Sequence, residues 1–176
     1  EDAAIVESRS IPELTEKMQT ARALLENGKE TEARTAYEEI LAKYPGSTTA
    51  IRALIRLDLR AGAFDRAADL TSRYLEMRPL DTEYLYFAAV ANKGMWKGSG
   101  STVALERAAE LGERCRIRNP AHLRNLVNLA DIYRLLGNRK RALHISQEAA
   151  LIDPVDASLV RLGGLLSHRT IKTLAG

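Results

Sequence analysis

Residues 123–156 read LRNLVNLADIYRLLGNRKRALHISQEAALIDPVD, and this stretch decides the fold. Apolar side chains recur at three- and four-residue steps on both sides of Gly137, as expected for two amphipathic helices joined by a tight turn. Gly137 has no Cβ and suits the left-handed conformation that ends a helix. Pro154 lacks an N–H group, so the second helix ends before it. The stretch therefore predicts a helix, a turn and a second helix.

The same spacing of glycine, alanine and proline recurs along the chain with a period of thirty-four residues. The alanine five residues after each glycine is predicted to lie in the second helix, where a small side chain lets the first helix approach closely. The matching triplets are Gly28, Ala33 and Pro45, then Gly62, Ala67 and Pro79, then Gly137, Ala142 and Pro154. The sequence predicts helices over residues 11–26, 30–43, 48–61, 64–77, 82–92, 102–118, 122–136, 139–152 and 155–173.

This pattern resembles the tetratricopeptide-repeat family, whose unit is a helix-turn-helix of thirty-four residues. The resemblance implies an all-α fold, a right-handed α-solenoid of four helix pairs with a C-terminal capping helix. We predict an N-terminal extension over residues 1–13, repeats over 14–47, 48–81, 82–122 and 123–156, and the capping helix over 157–176. Because Pro79 and Pro120 are forty-one residues apart, we predict an enlarged turn, KGMWKGSGS, in the third repeat.

The capping helix contains an unusual pair of glycines, Gly163-Gly164. Each lowers helix propensity by about 1 kcal/mol relative to alanine. We expect close contact with a neighbouring helix to compensate for this cost. The cap itself is needed because the last repeat of an array otherwise exposes its core face.

Composition and motifs argue against catalysis, cofactors and a membrane span. No apolar stretch reaches the ~18–20 residues that cross a bilayer. The three histidines are isolated from one another and from Cys115, and no metal-binding or phosphate-binding motif occurs. Cys115 aligns with the small Ala149 and is predicted to be a core thiol. We predict a non-catalytic protein with no cofactor and no bound metal.

The resemblance implies that the first helix of each pair lines a concave groove that holds a partner. The register then selects side chains that occupy equivalent places in successive first helices. The predicted contact residues are Met18, Arg22, Arg52, Arg56, Arg60, Tyr86, Phe87, Val90 and Asp131. The family's carboxylate-clamp pattern of Lys, Asn and Arg is not reproduced, so chaperone-tail binding is not predicted.

Arg52, Arg56 and Arg60 form an i, i+4, i+8 stripe on one predicted helix, and we call these three residues the arginine stripe. Like charges at this spacing cost a helix ~0.2–0.5 kcal/mol per pair, so the arginine stripe favours an acidic ligand. Carboxylates of a partner would fit guanidinium groups well. The alternative is that Glu26 and Glu83 pair with these arginines within the molecule.

Two further surfaces allow alternative interpretations. Met95 and Trp96 lie in the predicted turn, where an exposed tryptophan anchors a partner and a folded one packs on the helices. Arg139-Lys140-Arg141 is a basic cluster without interleaved aromatic residues, which favours a solvated face over nucleic-acid binding.

The sequence thus predicts a protein-interaction scaffold that binds a partner protein or peptide with an acidic segment. The alternatives are a regulatory repeat domain of a larger enzyme and, third, a helical repeat that binds nucleic acid. Because the sequence begins at Glu1 rather than Met, we expect a processed or excised chain, and the bacterial periplasm and the cytoplasm both remain open.

Overall fold

The computed structural model describes the backbone of residues 12–174 and the side chains of residues 12–167. The first eleven residues of the predicted N-terminal extension lie outside this range. The described chain contains nine α-helices and no strand, so the predicted all-α fold class is confirmed. The helices are α1 Pro12–Glu26, α2 Glu30–Lys43, α3 Thr48–Ala61, α4 Phe64–Met77, α5 Thr82–Ser99, α6 Thr102–Arg118, α7 Leu123–Leu135, α8 Arg139–Ile152 and α9 Ala157–Leu174.

The chain divides into two compact modules between Pro79 and Leu80. In the N-terminal module α1 packs on α2, α2 on α3, and α3 on α4. In the C-terminal module α5 packs on α6, α6 on α7, and α7 on α8, while α9 packs on both α7 and α8. Each module is therefore built from helices that pack on their neighbours in the sequence.

Glycine and proline set the helix ends as the sequence predicts. Gly28, Gly62 and Gly137 have φ values of 73°, 71° and 79°, in the left-handed region that residues with a Cβ rarely adopt. The predicted small positions Ala33, Ala67 and Ala142 are fully buried. The short turns and the close helix pairs thus follow from the same repeated residues.

The predicted enlarged turn after residue 92 is wrong. α5 continues to Ser99, and the left-handed glycine that ends it is Gly100, with φ 70°. α5 and α6 have 18 and 17 residues, whereas α3 and α4 have 14 each. The extra residues therefore lengthen both helices by about one turn. Burial of Gly94 within the C-terminal module outweighs its low helix propensity.

The expected contact of the Gly163-Gly164 pair is also absent from the described part of the chain. A Cβ added at either glycine would meet no atom within 4 Å. The inner face of α9 is instead formed by Leu159, Leu162 and Leu166, which join the core of the C-terminal module. The two glycines thus lie on the outer face of α9, where no described helix compensates for their low propensity.

Candidate partner-binding site

The arginine stripe lies on α3 of the N-terminal module, and all three side chains are exposed. Arg60 Nη2 lies 2.9 Å from Glu30 Oε1, and both side chains are more than half exposed. The sequence suggests Glu26 for this pairing, but the partner of Arg60 is Glu30. An exposed pair of this kind contributes only about 0–1 kcal/mol, so a competing carboxylate can replace Glu30 at little cost. Arg22 on α1 is exposed as well.

Met18 is a core residue, and its assignment to the groove surface is corrected. Its side chain is 5 % exposed and packs in the hydrophobic cluster of the N-terminal module with Leu14, Ala21 and Leu54. The repeat register identifies the position of Met18 along α1 but not how deeply its side chain is buried. A partner cannot reach Met18 without unpacking the core.

A groove of about 370 Å³ lies within the C-terminal module, and we call it the α5–α7–α9 groove. Its walls are first helices of successive predicted repeats and the start of the predicted cap, the elements that the family resemblance assigns to the concave side. Its lining residues are Tyr86, Lys93, Leu123, Arg124, Val127, Asn128, Asp131, Asp156, Ser158, Arg161 and Leu162. Two predicted residues, Tyr86 and Asp131, are among them, while Phe87 and Val90 are half-buried on α5 outside this lining.

An ion pair between α5 and α7 forms the polar wall of the groove. Lys93 Nζ lies 2.5 Å from Asp131 Oδ2, and Arg134 Nη2 lies 2.7 Å from Asp131 Oδ1. Burial lowers the pKa of Lys93, against the opposing effect of Asp131. Burial alone would raise the pKa of Asp131, but hydrogen bonds and charge from Lys93 and Arg134 outweigh it and lower this pKa. Asp131 is therefore neutralised twice and adds no net negative charge to the groove.

Asn128 carries a hydrogen-bond donor that the protein leaves unused. Its Oδ1 accepts a hydrogen bond from Lys93 Nζ at 3.2 Å. Its Nδ2 is buried but has no hydrogen-bond partner within the described chain. Leaving such a donor unsatisfied costs about 1–3 kcal/mol, which a bound acceptor would recover. Asn128 lines the groove, and a rotation of its side chain would bring this donor to a ligand there.

Aromatic and cationic groups form the opposite rim. The Tyr86 ring lies 5.1 Å from the His122 ring and 5.6 Å from the Phe87 ring, measured between centroids. The Arg124 guanidinium lies 5.4 Å from the Tyr86 centroid. Glu83 is held by His122 Nε2 and Arg124 Nη2, each at 3.1 Å. Glu83 thus pairs with residues of its own module, and burial raises the pKa of Tyr86, whose phenol stays neutral.

Met95 and Trp96 lie on α5 rather than in a loop, and both are half-buried. Trp96 packs against the hydrophobic core of the C-terminal module. The folded-back interpretation of this tryptophan is therefore the one that the structure favours. Because the Trp96 ring packs on the core, it is not presented to a partner as an exposed anchor would be.

Arg116 on α6 and Arg141 of the basic cluster Arg139-Lys140-Arg141 on α8 are paired with carboxylates of the C-terminal module. Glu113 accepts hydrogen bonds from Arg116 Nε at 2.8 Å, Arg141 Nη2 at 2.7 Å and the Tyr133 hydroxyl at 2.8 Å. Although burial opposes it, these hydrogen bonds lower the pKa of Glu113. Arg116 also lies 3.2 Å from Glu148. Two cations of these clusters thus serve internal contacts, which weakens the nucleic-acid alternative.

Cys115 has the environment of an unreactive thiol. Its Sγ donates to the carbonyl oxygen of Thr82 at 3.3 Å, and burial raises its pKa to about 12. Among the described residues no group of three or more His, Cys, Asp and Glu side chains could hold a metal ion. None of the helices in residues 12–174 is both long and apolar enough to span a membrane.

We expect native Cys115 to resist alkylation by iodoacetamide at pH 8, since the thiolate is the nucleophile and its fraction is very small at this pH. The measurement is mass-spectrometric labelling over several hours, with the same protein in guanidinium chloride as the positive control. Labelling of the folded protein at the rate of the unfolded protein would contradict the assignment.

A comparison with protein-family models finds a match for part of the chain. Residues 24–91 match the family model described as tetratricopeptide repeat. Within this segment the chain is similar to tetratricopeptide-repeat proteins. Proteins of the tetratricopeptide-repeat family bind protein partners and are typically non-catalytic. No curated protein sequence matches the chain.

Solved structures of MamA and of a thermophilic tetratricopeptide-repeat protein share the fold. A crystal structure of MamA superposes with a TM-score of 0.78 at 17% identity, covering 88% of this chain and 80% of that chain. MamA from residue 41 onward, from Desulfovibrio magneticus RS-1, gives a TM-score of 0.70 at 17% identity, with coverages of 84% and 78%. A thermophilic tetratricopeptide-repeat protein of Thermus thermophilus gives 0.68 at 18% identity, with coverages of 87% and 82%. The predicted solenoid type of fold is confirmed, and the match of residues 24–91 agrees with the predicted family.

Sequence reasoning misses Lys93 and Asn128, two central residues of the groove. Lys93 falls within the predicted turn, so the sequence assigns it to no helix face. Asn128 lies one residue after Val127, a position that the register aligns with Met18, Arg52 and Tyr86. A buried-face asparagine in a repeat helix is the available signal, because an amide needs partners that apolar neighbours cannot provide.

Proposed function

We propose that this protein is a non-catalytic scaffold that binds an extended segment of a partner protein in the α5–α7–α9 groove. The observation that carries the proposal is the unused Asn128 Nδ2 donor, which lies buried beside the groove and can bind a main-chain carbonyl oxygen of a peptide. A peptide backbone supplies such acceptors at regular intervals whatever its sequence. Recognition of side chains would then depend on the rest of the groove.

The groove chemistry supports a partner segment that is both apolar and acidic. Leu123, Val127 and Leu162 offer an apolar floor, and the Tyr86 ring adds a rigid aromatic contact. Arg161 is exposed at the rim and makes no hydrogen bond or ion pair with the described residues. The lining cations Lys93, Arg124 and Arg161 exceed the lining carboxylates Asp131 and Asp156 by one, so the charge of the groove lining is weakly positive. An aliphatic side chain beside a carboxylate fits this surface.

The arginine stripe of the N-terminal module is proposed as a second, independent anionic contact. Its support is the exposure of the three guanidinium groups and the weak, exposed Arg60–Glu30 pair. A partner with an acidic segment can displace Glu30 because an exposed ion pair contributes little. Bidentate carboxylate contacts are stronger than the pair they replace.

The test selects peptides from a random phage-displayed library on the wild-type protein and measures their affinity for Asn128→Asp. This substitution keeps an oxygen acceptor for Lys93 but removes the donor, so we expect binding at least about tenfold weaker, as for loss of a buried hydrogen bond. Arg161→Glu should weaken acidic peptides selectively. Lys97→Ala, an exposed cation outside the groove, is the matched control. Selected peptides that bind Asn128→Asp and Arg161→Glu like wild type would refute the groove.

A further inference from the structure

One position of the repeat provides the N-cap of each first helix from α3 onward. Counting in the repeat register, the equivalent residues are Ser47, Asp81, His122 and Asp156. The side chain of each accepts a hydrogen bond from the backbone N–H three residues later, at 3.4, 3.4, 3.2 and 2.9 Å. Three of these acceptors are hydroxyl or carboxylate oxygens, whereas the acceptor at α7 is an imidazole nitrogen. Histidine is the only one of these residue types whose charge ordinarily changes between pH 5 and 8.

The contacts of His122 fix its protonation state. Its Nδ1 accepts from the backbone N–H of Asn125, so this nitrogen carries no proton. Its Nε2 lies 3.1 Å from Glu83 Oε2, and a hydrogen bond to this carboxylate requires the proton on Nε2. His122 is thus a neutral imidazole, and its side chain is only 10 % exposed. A second proton can bind only at Nδ1, the atom that caps α7.

The cap of α7 is joined to the α5–α7–α9 groove through the aromatic rim. The His122 ring lies 5.1 Å from the Tyr86 ring, and the Arg124 guanidinium lies 5.4 Å from the centroid of the same ring. Both Tyr86 and Arg124 line the groove. The helix α7 also provides Leu123, Val127, Asn128 and Asp131 to the lining, and Leu123 and Arg124 lie in the turn that His122 caps. The rim and the first turn of α7 therefore depend on the same ring.

We propose, on the basis of the function proposed for the α5–α7–α9 groove, that His122 makes peptide binding there sensitive to pH. The groove binds its peptide when the ring is neutral and releases it when the ring is protonated. A proton on Nδ1 removes the acceptor of the Asn125 N–H and ends the cap. It also puts a positive charge at the N-terminus of a helix, where the helix dipole is unfavourable to cations. Leu123 and Arg124 then lose the fixed position that a bound peptide requires.

The charged and titratable groups that face His122 act in both directions. Glu83 on α5 attracts an imidazolium, although it already binds Arg124 Nη2 at 3.1 Å. Arg124 on α7 repels an imidazolium. Tyr86 on α5 and Cys115 on α6 are uncharged, because burial raises the pKa of both and brings that of Cys115 to about 12. Uptake of a proton is therefore compatible with the Glu83 contact but not with the cap.

The test uses a peptide that does not titrate between pH 5.5 and 7.5. It is selected at pH 7.5 from a phage-displayed library without Asp, Glu and His, and it is synthesised with blocked termini. Weaker binding to Asn128→Asp identifies a peptide that occupies the groove. Fluorescence anisotropy then measures its affinity at both pH values. For wild type we expect at least about fivefold weaker binding at pH 5.5, because only molecules that retain the cap bind the peptide.

Two histidine variants separate the cap from other effects of acid. His122→Asn keeps a neutral cap that does not titrate, so its affinity should change by less than about twofold between the two pH values. His144→Asn is the matched control, since His144 is exposed on α8 beside Glu148, and it should keep the wild-type pH dependence. Asp131 stays ionised over this range because its pKa is lowered, so the polar wall of the groove does not contribute. Circular dichroism at both pH values checks that the helices are intact.

Nuclear magnetic resonance examines the cap without a peptide. The imidazole nitrogen resonances of His122 should show the Nε2–H tautomer at pH 7.5. The Asn125 amide resonance should shift on acidification in wild type and much less in His122→Asn.

Three results would overturn the proposal. They are an Nδ1–H tautomer at pH 7.5, equal affinity of wild type at the two pH values, and the same pH dependence in His122→Asn as in wild type. A library that yields no peptide sensitive to Asn128→Asp would instead refute the groove itself, and the tautomer would then still decide whether His122 caps α7. Failure of the pH response and failure of the groove are thus distinguishable.

Discussion

Replacing Arg34 and Arg66 together by alanine is expected to lower the free energy of unfolding by about 3–5 kcal/mol, because it leaves a buried carboxylate without a counter-ion. Asp58 on α3 is only 1 % exposed, and it is held by Arg34 of α2 and, at 2.9 Å, by Arg66 of α4. The ion pairs thus join three helices of the N-terminal module. Urea unfolding followed by circular dichroism measures the change.

The single substitutions and a compensating change test this explanation. Arg34 is 18 % exposed and Arg66 is 55 % exposed, so Arg34→Ala should cost more than Arg66→Ala. Adding Asp58→Leu to the double variant should restore most of the stability, since an apolar side chain can replace a buried ion pair without large cost. The equivalent residue in the first repeat is Leu24, which shows that leucine suits this place. A double variant that loses less than about 1 kcal/mol would contradict the role of these pairs.

Asp131→Ala is expected to lower the free energy of unfolding by about 2 kcal/mol. It also leaves Lys93, on the polar wall of the α5–α7–α9 groove, without its carboxylate partner. Lys93 is 14 % exposed, and its ammonium group would keep the hydrogen bond to Asn128 Oδ1 but lose its carboxylate. Burial already lowers the pKa of Lys93, and loss of Asp131 removes the group that opposes this effect. Thermal and urea unfolding of the full chain measure the loss.

The same pair predicts the direction of a pH effect. The folded-state pKa of Asp131 lies below its ordinary value of 3.8, so its ionised form stabilises the fold above that value. This contribution is lost as the pH falls through the lower folded-state pKa. The variant Lys93→Met with Asp131→Leu removes both charges and is the control, since it should lose less stability below about pH 4 than wild type. Equal acid sensitivity of the two proteins would exclude Asp131 as a source.

Local rules explain what could be predicted from the sequence. Gly28, Gly62 and Gly137 end helices because of their own backbone freedom, and this property does not depend on distant residues. The predicted end of α5 is wrong because Gly94 has low helix propensity, and its burial cannot be read from the local sequence. Propensity is a weak guide where tertiary contacts favour the helix.

The candidate site is less accessible to sequence reasoning because it depends on contacts between distant residues. Asn128 and Lys93 are 35 positions apart, and neither side chain reveals the other in the sequence. The repeat register selects Tyr86 and Asp131, which line the α5–α7–α9 groove, but it does not distinguish the buried Met18 from the exposed Arg52. How deeply a side chain is buried depends on which residues pack over it, and in these repeats those residues differ from one helix to the next.

The lengthening of α5 and α6 also bears on which insertions a helical array accepts. Successive side chains on a helix are turned by about 100°, so four extra residues turn α5 by about 400° and three extra residues turn α6 by about 300°. Each helix is therefore lengthened by close to one revolution, and its added side chains lie near the line of its existing apolar face. An insertion of two or five residues in one of these helices would instead turn the apolar face beyond it by about 200° or 140°, away from the neighbouring helix. The length that a repeat helix can gain is thus constrained by rotation within that helix.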